Sequence, residues 1–334
     1  MRKSIGFVAV LLFLGFGFTH CASQAPMEAE AKGAEQKAQI MRMNASNTDP
    51  DFVPMVAQQL PPSGGSKILT LMTWNVKHLG RNGFASGHAS PLLAGVDVIA
   101  FQEVNFSSKK TKNKQTGLDA LVEIAERLQA LTKEKICVAI SAKPTDGLEA
   151  YGYIWRDARV AYIKTSGEIQ EHCPESTNTI RLGVKQAARI QREPAFGTFY
   201  FKPAAKQFVY ATIHLLPAGK KPQDEIEPLF STFASVQFPI VLAGDFNLDA
   251  DHRAFGAAHQ VGFRPAMINV LTSLKRDKRE LSKAYDNFWF RNIRMIGAPK
   301  VFNLYQIFPE MNQKDVYNNL SDHSPVAAQF EFVN

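Results

Sequence analysis

Short apolar runs recur along the chain, and most of them stop on polar residues. The runs are ILTLMTW (68–74), VDVIAFQEV (96–104), ICVAIS (136–141), YGYIWR (151–156), VAYIKT (160–165), FGTFYF (196–201), FVYATIHL (208–215), IVLAGDF (240–246), NFWF (287–290) and PVAAQFEF (325–332). They are rich in β-branched and aromatic residues and too short for buried helices, so they predict strands. Helical periodicity appears between them. Over 117–131, Leu118, Leu121, Val122, Ala125, Leu128 and Leu131 share one face, and Asp119, Glu123, Glu126 and Arg127 lie largely off it. Two more helices are predicted, over 223–236 and over 251–261. No fixed-period repeat or internal Pro/Gly/Ser linker interrupts residues 67–334. The pattern predicts one α/β domain with sheets covered by helices.

The strand ends carry the chemistry. Strand 68–74 runs into Asn75, strand 96–101 into Gln102 and Glu103, strand 208–213 into His214, and strand 240–243 into Gly244, Asp245, Phe246 and Asn247. Asp322 and His323 lead into the last strand. In α/β folds strand ends converge on one edge, where ligands bind. Singly, a carboxylate after a strand reads as a turn residue or a helix cap, and a lone histidine as a surface or core residue. The ordered set is harder to explain as turn chemistry.

The N-terminus reads differently. Arg2 and Lys3 precede the uncharged apolar run IGFVAVLLFLGFGF (5–18), which is short for a membrane span and fits a signal peptide over residues 1–23. Cleavage before Gln24, or lipidation of Cys21 as in bacterial lipoproteins, are the two endings. Secretion, a periplasmic location, or a lipid anchor at a membrane surface are the corresponding destinations. Residues 24–66, ending in PPSGGS, read as a tether. The remaining 67–334 form the folded part.

Charge then narrows the class. The chain of 334 residues has 38 Lys+Arg against 31 Asp+Glu, a net +7, and 45% hydrophobic residues. That composition excludes a wholly disordered chain and a disulfide-dense mini-protein. The signal and tether charges cancel, so the excess belongs to 67–334. Of the three cysteines, Cys137 and Cys173 could bridge in an exported protein, but spacing alone leaves this open.

The motifs TWNVKHLG (73–80), AFQEV (100–104), EAYGYIWR (149–156), QREPAFGTF (191–199), TIHLLP (212–217), LAGDFNLD (242–249), AYDNFWF (284–290) and SDHSPV (321–326) resemble those of the endonuclease/exonuclease/phosphatase superfamily, in particular its deoxyribonuclease I-like branch. The resemblance covers essentially all of 67–334. It implies a four-layer sandwich, with two packed, mainly antiparallel β-sheets flanked by helices. It also implies His214 and His323 as a catalytic pair, supported by Glu149 and Asp286 respectively. His323 is assigned as base on water and His214 as acid on the leaving oxygen. Asn75 and Glu103 are implied as ligands of one metal position, and Asp245, Asn247 and Asp322 as ligands of a second or of the phosphate. Arg192, Lys77, Ser107 and Tyr285, with Asn247, are the implied substrate contacts.

Phosphodiester hydrolysis needs charge neutralisation and proton transfer, and oxygen donors suit Mg2+, with Ca2+ or Mn2+ as alternatives. No Cys/His spacing suggests zinc. Lysines gather in SSKKTKNK (107–114), at Lys220 and Lys221, and in KRDKR (275–279), which fits a phosphate backbone. The expected function is an exported, non-specific, metal-dependent DNA endonuclease acting as a monomer, with RNA as a further substrate. Two departures concern the minor groove. The branch carries Arg where this chain has Asn105, and Tyr where it has Gly147. The alternatives are a lipid-headgroup phosphoesterase, with FRNIRMIGAPKVF (290–302) as the nearest thing to a membrane-docking hairpin, or a non-catalytic surface protein.

Overall fold

The computed structural model describes residues 66–80, 86–105, 116–141, 149–170, 172–173, 181–184 and 190–333. The signal segment, nearly all of the tether, Ser107 with the lysine-rich loop around it, and Gly147 lie outside the described residues. Among the described residues fourteen strands follow in chain order. The first seven are β1 (Leu69–Leu79), β2 (Val98–Asn105), β3 (Ile136–Ser141), β4 (Glu149–Arg156), β5 (Val160–Ile163), β6 (Ile169–Gln170) and β7 (Arg181–Val184). The rest are β8 (Ala195–Phe201), β9 (Lys206–His214), β10 (Ile240–Asp245), β11 (Arg264–Pro265), β12 (Asp286–Arg291), β13 (Arg294–Val301) and β14 (Val326–Glu331).

One sheet runs β13-β14-β1-β2-β4-β3 and the other β11-β12-β10-β9-β8-β5-β6, with β7 pairing with β3 of the first and β8 of the second. Side-chain alternation separates the layers. Leu69 and Leu71 of β1 join Tyr153, Phe199, Phe208, Tyr210, Val241 and Phe288 in a core between the sheets. The opposite face of β1, with Met72, Trp74 and Val76, packs on Leu121, Ile124 and Leu128 of the helix Gly117–Thr132. On the other outside, Ile213 and Leu242 pack on Leu229, Phe230 and Phe233 of the helix Ile226–Phe233. Such alternation puts every second residue on each face, and the result is the expected helix–sheet–sheet–helix sandwich.

The first predicted helix forms almost as read. Thr116 caps it, accepting from Asp119 N while the Asp119 carboxylate accepts from Thr116 N. The other two are broken. Pro222–Glu225 and Arg253–Phe255 are 3-10 turns, and α-helix covers only Ile226–Phe233 and Gly256–Gln260. Cys137 and Cys173 are joined by a disulfide. The segment 290–302 is not a protruding hairpin. Its first residues end β12 in one sheet, and the remainder forms the edge strand β13, paired antiparallel with β14 of the other. Its apolar residues Phe290, Met295 and Val301 pack against the inter-sheet core instead of facing outward.

Candidate active site

Each sheet contains a parallel pair at its centre, β1 with β2 and β9 with β10. Parallel neighbours end at the same edge. Asn75 thus lies opposite Gln102, next to Glu103, and Asp245 lies directly opposite His214. Antiparallel partners deliver their beginnings to that edge. β4 starts with Glu149 opposite Asn105, β12 starts with Asp286 opposite Asp245, and His323 comes three residues before β14. Gln102 ties the two sheets beneath the site, donating to Thr73 Oγ1 at 2.9 Å and Thr212 Oγ1 at 2.7 Å. Gly244 permits the close approach of β10 and β9. Its φ is +145°, and a Cβ there would stand 2.0 Å from the Ile213 carbonyl oxygen.

The centre is Asp245, about 1% exposed. Its Oδ1 accepts from Asn247 N at 2.8 Å and its Oδ2 from Asn75 Nδ2 at 3.1 Å. The Nε2 atoms of His214 and His323 both stand 3.6 Å from Oδ2. Behind His323, Nδ1 meets Asp286 Oδ2 at 2.7 Å, and Thr272 Oγ1 donates to the same oxygen at 2.6 Å. Behind His214, Nδ1 lies 3.4 Å from Glu149 Oε2, an ion pair without hydrogen-bond alignment. Glu103 Oε1 accepts from Asn75 Nδ2 at 3.1 Å and lies 3.9 Å from His214 Nε2.

Burial disfavours the charged form of both imidazoles, but the surrounding carboxylates outweigh it. His214 is raised by Glu149, Asp245 and Glu103, and His323 is raised well above the ordinary histidine value by Asp286 and Asp245. Burial opposes ionisation of Glu149 too, yet its partner His214, with Arg192 and His78, holds the carboxyl down at about 2. A depressed carboxyl stabilises the fold above its unfolded value of 4.5 and loses that contribution as pH falls toward about 2. Glu149→Gln should therefore flatten the acid limb of the melting-temperature profile between those values. An unchanged limb would show that Glu149 is not paired in this way.

The remaining expected residues divide. Arg192 joins the site, with Nη1 3.9 Å from Glu149 Oε2 and 3.4 Å from the Leu215 carbonyl oxygen. Asn247 is held by its Nδ2 on the same carbonyl at 3.1 Å. Lys77 and Asp322 form a pair at the rim, Nζ to Oδ2 3.7 Å, with the ammonium 3.7 Å from the Tyr317 ring centroid. Burial lowers the Lys77 pKa, and Asp322 pulls it the other way. Tyr285 is partly buried beside Asp286, and its carbonyl accepts from Phe246 N at 2.9 Å. Asn105 turns inward and donates to the His78 carbonyl oxygen at 3.1 Å.

Sequence reasoning missed Thr272, Tyr151, Glu225 and His78. Tyr151 Oη accepts from His214 N at 3.1 Å, and Glu225 accepts from Gln191 N and Leu216 N at 2.8 Å each, fixing the segments that carry Arg192 and follow His214. Thr272 sits in a loop with no strand or helix signal. Tyr151 and His78 lay within quoted motifs.

Several buried polar atoms find no hydrogen-bond partner among the described residues, including Asp286 Oδ1, Glu149 Oε2, His78 Nδ1 and His214 Nδ1. Asp286, Glu149 and His78 belong to two groups of donors able to surround an ion, His78 with Glu103 and Glu149, and Asp245 with Asp286 and His323. Gathered carboxylates with orphaned atoms fit a divalent cation. Asn75 offers its amide nitrogen to Glu103 and Asp245, because its Oδ1 accepts from Lys77 N at 3.1 Å.

No protein-family model matches the chain. A protein named deoxyribonuclease from Thioalkalivibrio sp. is 24% identical over 295 residues, which span 81% of this chain and 73% of that protein. An endonuclease/exonuclease/phosphatase family protein from Leptotrichia buccalis has a similar structure, with a TM-score of 0.53, 18% identity, and coverage of 79% of this chain and all of that one. So does D. rerio TDP2, solved in complex with a single strand DNA product, with a TM-score of 0.52, 14% identity, and coverage of 80% and 100%. The two sandwiched sheets, with the quoted motifs gathered at one edge, are thus the endonuclease/exonuclease/phosphatase fold.

Proposed function

We propose that the protein is an exported, divalent-metal-dependent endonuclease that hydrolyses phosphodiester bonds of DNA without sequence specificity. The observation that carries this reading is the convergence of two imidazoles, each backed by its own carboxylate, on Asp245. Such a pair can move two protons across one phosphoryl centre, one from water and one to the leaving oxygen. A nuclease reading is further supported by the relative named deoxyribonuclease, by the neighbour solved with a DNA product, and by the net charge of +7. Export rests on Arg2, Lys3 and the apolar run 5–18, with Cys21 as the alternative lipid anchor.

Glu103 and Glu149 would hold the cation at one position, and Asp245 at another. The ion, probed with Mg2+, Mn2+ or Ca2+, supplies charge neutralisation at the phosphoryl oxygens. The chain's own groups do the rest. Arg192 and Lys77 offer cationic donors to phosphate oxygens from the rim, and Asn247 braces the floor. His323, in a tight bond to Asp286, keeps its proton firmly and suits donation to the leaving oxygen. His214, more loosely held by Glu149, gives up its proton more readily and suits the base role. This division reverses the one expected from the motifs. Asp286 and Glu149 fix each ring's orientation and stabilise its imidazolium form.

A lipid headgroup is the competing substrate, and the edge strand at 294–301 removes the feature that favoured it. The discriminating experiment compares DNA cleavage with phosphocholine release from sphingomyelin vesicles, and follows DNA affinity across salt concentrations. Cleavage of DNA alone is expected, with log K falling linearly in log salt and the slope reduced by about 0.9 in Arg192→Ala. Phosphocholine release without DNA cleavage would overturn the reading.

A further inference from the structure

β1 continues past Asn75, but its pairing with β2 slips between Asn75 and Leu79. Within that slip Lys77 and His78 both adopt the left-handed region, with φ of 45° and 59°, and Glu103 across the site has φ 59°. Such conformations in non-glycine residues cost about 1–3 kcal/mol each and persist where surrounding bonds enforce them. The bonds are present. His78 N donates to Glu103 Oε2 at 3.1 Å, and the His78 carbonyl accepts from Asn105 Nδ2 at 3.1 Å. The outcome is that His78 Nδ1 stands 3.1 Å from Glu103 Oε2 and 4.0 Å from Glu149 Oε1. This nitrogen is buried and makes no hydrogen bond. Histidine, like asparagine and aspartate, is among the residues enriched in this region, so the backbone accepts an imidazole here without requiring one.

Asn75 turns its amide nitrogen toward Glu103 Oε1 at 3.1 Å, and its Oδ1 accepts from Lys77 N. We propose that His78 supplies a nitrogen ligand beside Glu103, making the cation position there a mixed imidazole–carboxylate site of His78, Glu103 and Glu149. The donor atoms lie within 4.8 Å of one another. Glu149 would offer Oε1, 4.0 Å from His78 Nδ1, to this group, while its Oε2 faces His214 Nδ1 at 3.4 Å, so the same carboxylate would serve both. An imidazole donor suits transition-series ions better than Mg2+ or Ca2+, and Mn2+, the weakest binder of that series, is the one that serves as a paramagnetic probe. The inference rests on the reading of Glu103 as a cation ligand, and it is independent of the substrate.

The test is pulsed electron paramagnetic resonance of the full chain titrated with Mn2+, with calorimetric titration of Mn2+ and Mg2+ alongside. The wild type should show directly bound imidazole nitrogen. His78→Asn, which suits the left-handed backbone, should lose that coupling, weaken Mn2+ binding by at least about tenfold and change Mg2+ binding less. His78→Gln, compared by thermal melting, guards against a folding defect in the first variant. Mn2+ bound without nitrogen coupling, coupling that survives in both variants or disappears only in His214→Gln, or equal weakening for both metals would overturn the proposal. Failure of the wild type to bind either ion would instead overturn the metal-dependent function proposed above, and the proposed ligand with it.

Discussion

Replacing His323 by alanine should lower the rate of DNA cleavage by about 10^2 to 10^4-fold, the usual contribution of a positioned proton-transfer group. The ring touches Asp286 at 2.7 Å and faces Asp245 at 3.6 Å, and it contributes nothing to the three apolar cores. The backbone around it is held independently. Its carbonyl accepts from Trp74 Nε1 at 2.9 Å, and its N–H donates to Ser321 Oγ at 3.0 Å. Asp286 would keep Thr272 as a partner and take up a proton, so a modest loss of stability is expected without loss of fold. His214→Ala should fall by a similar factor. The double variant should be scarcely worse than either single one, because the two rings act on one transition state. Cleavage rates under single-turnover conditions, with circular dichroism on each variant, check this. Near-wild-type cleavage by folded His323→Ala would remove the imidazole pair from the mechanism.

Asp245→Asn should be at least as damaging, with a loss of about 10^3-fold or more. The shape is conserved, so the defect is electrostatic. Asp245 Oδ2 receives Asn75 Nδ2 and faces both imidazoles. An amide nitrogen there would oppose three donors, and an amide oxygen would carry no charge. The carboxylate raises the pKa of both His214 and His323, so its removal should make both rings lose their protons at lower pH. Titration of the ring signals by nuclear magnetic resonance reads that shift directly. Unchanged histidine titration would show that Asp245 does not set their charge.

The sequence exposed the site through one physical regularity. Apolar strands that end on carboxylates, amides and histidines place those groups at a sheet edge, and Asn75, Glu103, His214 and Asp245 come together because their strands run parallel in pairs. Glu149 and Asp286 are read from motifs, since the first residue of an antiparallel strand has no local signal of its own, and His323 from its place just ahead of the last strand. The four layers follow from the alternation in β1, β9 and β10. What stayed hidden depends on contacts between distant segments. β7 is four residues bridging two sheets, and β13 is an edge strand with a register slip between Ile296 and Lys300, so neither offers regular alternation. Thr272 matters only because its hydroxyl reaches Asp286 from a loop 14 residues away. The inward turn of Asn105 depends on the His78 carbonyl, itself placed by a backbone conformation that composition does not reveal. The disulfide was open for the same reason, because only the fold brings residue 173 back to β3.

In the proposed function this edge of the sandwich cuts internal phosphodiester bonds of DNA using a bound cation and two histidines. Incubation of the purified protein with supercoiled plasmid tests it most directly, because a closed circle has no ends. With Mg2+ or Mn2+ present, the supercoiled form should pass to open circle and then to linear DNA. Chelator should stop the conversion, added cation should restore it, and the His214→Ala/His323→Ala variant should leave the circle intact. An intact circle with the wild-type protein and cation, or nicking that persists in chelator or in that double variant, would contradict the account.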